Sequence, residues 1–435
     1  MPESGCIVSE KTTYVPMDDG FYPELARGAA LWDAVRPESA SERDVRKSLA
    51  ADRITERDFL VLLSPAAQAY LEPMALRARD ETIRHFGKTV QLFTPLYLAN
   101  FCTNRCVYCG FNTNRDIERQ MLTLEQVEDE AKAIASTGLR KILALTGDAP
   151  ARTGARYLAD CVAVLAKYFP SVGIEVPSMT VEEYALVVAA GADSMTMFQE
   201  TYNESLYAKL HPAGPKRVFA FRLDAPQRAV MGGMRGVNLG ALLGLDDWRR
   251  DMFFTGLHAA FLQERYPEQE VSVSLPRMRP CGEKPASREE REFSPIPVED
   301  KEFVQALLAF RCFMPQAGIT MSTREPAWLR DKLIPLGVTK VSAGVCTAVG
   351  GHVADSDTRD GEPQFDISDP RSVEDMADAL ERMGYQPVYT DWLLSGRGES
   401  LLSEGVMQAL GHALDQTLGQ TSCRAREGAA ARSNP

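Results

Sequence analysis

Short apolar runs separated by amphipathic stretches dominate the chain between Gln91 and Ala343. Eight of them stand out: QLFTPLYLA, KILALT, GIEVP, SMTMFQ, VNLGALLG, VSVSL, ITMST and TKVSA. Runs of this kind, bounded by turn residues, predict strands buried on both faces. Helical patterns lie between them. Thr123 with Gln126 and Thr180 with Glu183 have capping-box spacing, and Gly138 and Gly191 stand where those helices would close. Eight strand and helix repeats predict an α/β fold, a parallel (β/α)8 barrel of the TIM type over residues 86–350, with its chemistry at the C-terminal ends of the strands. Upstream, Ser41 to Arg84 is helical in pattern. Thr55 is placed to cap TERDFLVLL, and Ser64 with Pro65 forms an N-cap and N1 pair opening SPAAQAYLEPMALRARDETIR. Residues 1–85 are therefore expected to form a helical N-terminal extension. A polar insert, CGEKPASREEREFSPIPVED, follows the sixth strand. Residues 351–420 read as a mixed C-terminal extension, and SCRAREGAAARSNP predicts a disordered tail over 421–435.

Composition narrows the partners. The 435 residues are 45% hydrophobic and 25% charged, enough to bury a full core. A net charge of -12 and a pI near 5.1 argue against nucleic acid or an anionic lipid surface as the main partner. The opening MPESGCIVSEKTTYV has no basic and apolar leader pattern, and no apolar run reaches about 18 residues; the expected location is the cytoplasm. Nine cysteines are present, and Cys6, Cys161, Cys281, Cys312, Cys346 and Cys423 are scattered, unlike a disulfide framework.

The other three are not scattered. In ANFCTNRCVYCGFN, Cys102, Cys106 and Cys109 form a Cys-x3-Cys-x2-Cys run just past the first strand, at the expected mouth of the barrel. A structural zinc site commonly uses paired Cys-x2-Cys or Cys/His spacings, and no matching second pair exists. Iron–sulfur clusters prefer thiolates, and a cubane held by three cysteines leaves one iron free to chelate a small molecule.

At this point the sequence resembles the radical S-adenosylmethionine superfamily, whose Cys-x3-Cys-x2-Cys loop binds a [4Fe–4S] cluster. FTPLYLANFCTNRCVYCGF, FQETYNESLYAKLHP, SVSLPRMRP, STREPAWLRD and VTKVSAG are similar to its aromatic amino acid lyase branch, over residues Thr55 to Trp392. The resemblance implies that S-adenosylmethionine is cleaved to a radical that takes a hydrogen from the amino group of tyrosine. The Cα–Cβ bond then breaks to 2-iminoacetate and p-cresol, as in thiamin thiazole biosynthesis. Implied partners are L-tyrosine, a thiazole synthase complex and a flavodoxin or ferredoxin-type electron donor. A tryptophan lyase shares the amino acid anchors. A HydG-type lyase would carry a second C-terminal cysteine cluster, where this sequence has only Cys346 and Cys423 beyond the seventh strand. A non-catalytic metal-binding module of a thiazole-forming complex is the alternative from another class, and cofactor turnover separates it from an enzyme.

The same resemblance assigns roles. Tyr108 matches the aromatic beside the adenine; the plain alternative is core packing. Thr146, Gly147 and Asp148 match the turn that receives the cofactor's amino group, with Asp148 where the family has a longer glutamate. Glu200 matches the acid that contacts the cofactor ribose or amino group, against a helix cap. Arg222 matches the base that pairs with the cofactor carboxylate, against a surface salt bridge. Tyr97, Arg324 and Ser342 match the set that holds the substrate's α-amino and α-carboxylate groups. Their plain readings are core for Tyr97, pairing with Glu325 or Asp331 for Arg324, and a cap for Ser342. Arg277 and Arg279 also fall at the barrel mouth without an assigned ligand. The histidines His85, His211, His258, His352 and His412 lack metal-ligand spacing and are expected to be structural.

Overall fold

The computed structural model describes residues 14–279, 287–353 and 364–390. The expected tail, the extension beyond residue 390, and Cys6, Cys281, Cys423 and His412 lie outside the described residues. The eight apolar runs become eight parallel strands: β1 (Thr89–Ala99), β2 (Lys141–Thr146), β3 (Ser171–Glu175), β4 (Ala192–Glu200), β5 (Gly236–Ala241), β6 (Glu270–Ser274), β7 (Gly318–Met321) and β8 (Lys340–Ser342). They pair in sequence order, and β1 closes the barrel by pairing with both β2 and β8. A ninth strand, β9 (Gln386–Val388), pairs with the start of β1 at Thr89 to Gln91. The C-terminal segment therefore returns to the N-terminal end of the barrel.

The capping boxes at Thr123 and Thr180 form as their spacing predicts and open helices Leu124–Ser136 and Val181–Ala189. Thr55 caps Glu56–Leu62 through a reciprocal pair with Asp58. One expectation needs correction: Ser64 and Pro65 open a 3₁₀ turn, Pro65–Tyr70, and the α-helix starts only at Leu71. An α-helix begun at Pro65 would place Pro73 in its interior, where the ring meets the Ala69 carbonyl and no N–H is available. Starting at Leu71 puts Pro73 in the first turn, where that N–H is not required. A further N-terminal helix, Tyr22–Val35, was not apparent in the pattern.

Two irregularities shape the upper rim. The β1/β2 register shifts between Tyr97 and Ala99, and the β4/β5 register between Phe198 and Glu200. Glu200 has φ +72°, a left-handed conformation for a residue that is not glycine. Bulges of this kind re-aim side chains beside active sites. At the opposite end, Arg235 bridges Asp193 (3.0 Å) and Glu270 (2.9 Å), and Lys340 also pairs with Glu270. These ion pairs join the starts of β4, β5, β6 and β8.

Candidate active site

The loop after β1 is stitched to the connections that follow β2 and β4. Thr103 N donates to the Asp148 carbonyl (2.8 Å), Arg105 N to Ala213 (3.1 Å) and Val107 N to Leu210 (3.2 Å). The Asn104 side chain donates to Asp148 Oδ2 (2.9 Å) and accepts from Lys216 N (2.9 Å). Arg119 donates to the carbonyls of Asn100, Phe111 and Asn112, tying the loop from its far side. So held, Cys102, Cys106 and Cys109 all line one cavity of about 1030 Å³, together with Tyr108, Thr146, Gly147, Asp148, Glu200 and Arg222. Every cofactor-binding residue expected from the sequence faces this one space.

Its donor set fits a cluster better than a lone ion. No three His, Cys, Asp or Glu side chains among the described residues converge on one point, whereas a cubane takes one thiolate per iron and so needs its thiols spread. Burial, then the charge of neighbouring Cys109, pushes the Cys102 thiol up to about 11, and burial pushes Cys106 well above its ordinary value. Such thiols become thiolates only when a metal supplies the compensating charge. Gly147 N donates to the Ala99 carbonyl (3.0 Å), and a side chain there would strike the Phe101 carbonyl. The buried Thr146 hydroxyl has no hydrogen-bond partner among the described residues.

Around Glu200 the cavity wall is ionic. Its Oε1 accepts from Lys216 Nζ (2.6 Å) and Arg222 (3.2 Å), and Arg222 Nε donates to the Phe198 carbonyl (2.6 Å). Arg222 is thus neither on the surface nor unengaged: its fork orients Glu200. Tyr108 OH meets His211 Nε2 (2.7 Å), and Lys216 Nζ stands 5.5 Å from its ring centre. His211 is buried and packs on Tyr207, so its role is to position Tyr108.

A second cavity of about 1140 Å³ fills the lumen below. Tyr97, Arg324 and Ser342 all line it. Tyr97 OH donates to Gln364 Oε1 (2.7 Å), and the buried Ser342 hydroxyl has no hydrogen-bond partner among the described residues. Neither plain partner holds Arg324: Glu325 pairs with Arg277 and Arg279, and Asp331 with Arg371. No described carboxylate pairs with Arg324; its guanidinium stacks on Phe365 at 3.6 Å and faces both cavities. Arg277 also contacts Asp300 (2.7 Å) and Val298, a structural knot, while Arg279 donates to the Arg324 carbonyl (2.7 Å). Deeper in the lumen, Asn238 bridges Ser274 (2.8 Å) and Thr196 (3.3 Å).

Among the lining residues absent from the sequence reading, Lys216, Gln364, Phe365 and Glu175 bear most on the site. Lys216 carries no local signal. Gln364 and Phe365 line both cavities, and a Gly110 Cβ would lie 2.7 Å from the Gln364 carbonyl oxygen. Glu175 ends β3 and also lines both. A lone carboxylate in the apolar run GIEVP was the available clue.

Comparison with known proteins bears on the family and the fold. Residues 96–254 match the radical SAM superfamily, and residues 274–386 match the biotin and thiamin synthesis associated domain. The chain is 38% identical over 366 residues to 2-iminoacetate synthases of Salmonella typhimurium and Escherichia coli, covering 83% of this chain and 94% of each relative. Its fold is similar to the crystal structure of HydG, a maturase of the [FeFe]-hydrogenase, with TM-score 0.76, 29% identity, and coverage of 86% of this chain and 81% of that one.

Proposed function

This chain belongs to the 2-iminoacetate synthase family of radical S-adenosylmethionine enzymes, and from that premise we propose that it cleaves the Cα–Cβ bond of L-tyrosine to 2-iminoacetate and p-cresol for thiamin thiazole assembly. Family membership implies a [4Fe–4S] cluster and S-adenosylmethionine. Cys102, Cys106 and Cys109 would hold the cluster. Tyr108, the Thr146 to Asp148 turn, Glu200 and Arg222 would hold S-adenosylmethionine, with Glu200 the direct contact and Arg222 its support. When bound, these groups supply the radical that takes a hydrogen atom from the substrate's amino group.

The observation that carries the reading is Arg324. A guanidinium withdrawn from bulk solvent without a carboxylate is costly unless a ligand supplies one, and this one borders both cavities. A tyrosine carboxylate matches its fork. The Tyr97 and Ser342 hydroxyls complete the polar set, and the orphaned Ser342 hydroxyl gains a partner. Leu143, Leu145 and Phe198 offer apolar walls to the ring, and Asn238 and Ser274 offer polar groups to a phenol.

A labile imine product favours transfer to a consumer, so a complex with thiazole synthase fits this reading, as does a flavodoxin or ferredoxin-type donor of single electrons. A reducing cytoplasm fits the free cysteines. Similarity to HydG supports a second reading, a lyase whose product is broken further. The test is anaerobic turnover of reconstituted protein with tyrosine: p-cresol with 2-iminoacetate or its hydrolysis product glyoxylate, and no stoichiometric carbon monoxide or cyanide, is the expected result. Either diatomic in stoichiometric yield would assign the second reading.

A further inference from the structure

Hydrogen transfer between two bound molecules requires the donor atom to lie where their cavities meet. The ionisable side chains that line both cavities are Glu175 and Arg324. If Arg324 takes the substrate carboxylate, as the functional reading on which this inference rests requires, Glu175 is left facing the ammonium. Glu175 and Tyr97 stand in one register row, through Tyr97↔Leu145 and Leu145↔Glu175. Tyr97, Arg324 and Glu175 all line the lumen cavity. The Glu175 carboxylate has no hydrogen bond or ion pair to a described residue.

The chemistry needs such a group. Tyrosine enters with its amine protonated, and a carboxylate is the natural partner of an ammonium. Removing a hydrogen atom from nitrogen is far easier from a neutral amine than from an ammonium. We propose that Glu175 binds the ammonium of the amino acid substrate and takes one of its protons. One N–H bond breaks heterolytically, the electron pair stays on nitrogen, and the proton forms an O–H bond on Glu175; it leaves to solvent after product release.

The electrostatics support the role. Burial, and then the charge of Glu200, pushes the Glu175 carboxyl up to about 7, while Arg324, Arg222 and Lys216 oppose the shift and Tyr97 faces it from β1. A base with an affinity near neutrality accepts and releases a proton readily.

Binding of L-tyrosine and of its desamino analogue, 3-(4-hydroxyphenyl)propionate, to holoenzyme tests the contact without turnover. Hydrogen bonds to charged groups are of a size that makes Glu175→Gln weaken tyrosine roughly tenfold to a hundredfold while leaving the analogue unchanged, and Glu175→Asp should restore part of the preference. An undiminished preference for tyrosine in folded, cluster-loaded Glu175→Gln overturns the proposal. So does p-cresol formation in that variant at the wild-type rate with the wild-type acidic limb in its pH profile; the expected result is a large loss of rate and of that limb. If the wild type made no p-cresol, the functional reading would fail, and the binding ratio would still decide the role of Glu175.

Discussion

Replacing Gly147 by alanine tests whether the cluster loop is seated by backbone packing as well as by its cysteines. The added Cβ would press on the Phe101 carbonyl, with the carbonyl carbon at 2.9 Å and Cys102 Cβ at 3.2 Å. Ordinary carbon contacts begin near 3.5 Å, so Phe101 and Cys102 must retreat by roughly 0.6 Å or more. That movement falls on the residue bearing the first thiol. It also strains the bonds from Gly147 N to Ala99 (3.0 Å) and from Thr103 N to Asp148 (2.8 Å). Overpacking costs about 1–3 kcal/mol and each of the two weakened hydrogen bonds up to about 1 kcal/mol, so the variant should lose roughly 1–5 kcal/mol. Gly147 does not have positive φ, so this cost is steric and local. The assay is iron and sulfide per chain after reconstitution and gel filtration, beside a denaturant titration. Gly138→Ala is the control: it has φ +89° and open space around it, so it should cost about 1 kcal/mol without disturbing iron content. A Gly147→Ala protein with a full cluster and wild-type stability would refute the reasoning.

Arg324→Ala should keep its cluster and bind S-adenosylmethionine, yet lose tyrosine affinity by roughly tenfold to several hundredfold, and lysine should not restore it because a point charge replaces a fork; equilibrium binding of both ligands checks this. Cys106→Ala should lose iron and activity, whereas Cys161→Ala, whose thiol is buried in the hydrophobic core, should lose neither; iron analysis separates them. Asp251 accepts from Thr201 (3.0 Å) and Tyr202 N (2.8 Å), and burial pushes its carboxyl up to about 8. The folded state then holds this proton more tightly than the unfolded chain, so its contribution to stability falls as pH rises between about 4 and 8. In Asp251→Asn that component of the pH dependence should vanish from denaturation midpoints.

The barrel strands were legible because parallel strands buried on both faces read as apolar runs, and capping boxes are local. β9 was not: Gln386, Pro387 and Val388 have no distinctive pattern, and their pairing with Thr89 to Gln91 joins segments almost three hundred residues apart. Tyr70 to Leu71 shows the same limit on a small scale, since Pro73 decides where the helix begins. In the site, the thiol spacing was visible directly. The shared lining by Glu175, Lys216 and Gln364 was not, because a strand end, a short turn and a distant loop meet there only in the folded barrel. The contacts of Arg222 likewise wait for the fold: its guanidinium engages Glu200 and the Phe198 carbonyl.

The most direct measurement of the central claim is the ratio of p-cresol to 5′-deoxyadenosine formed anaerobically by reductant-treated holoenzyme given S-adenosylmethionine with L-tyrosine, beside a parallel reaction with L-tryptophan. The account predicts near-equal amounts of the two products from tyrosine and no cleavage of the tryptophan side chain. Deoxyadenosine without p-cresol, or an indole fragment from tryptophan in place of p-cresol from tyrosine, would contradict it.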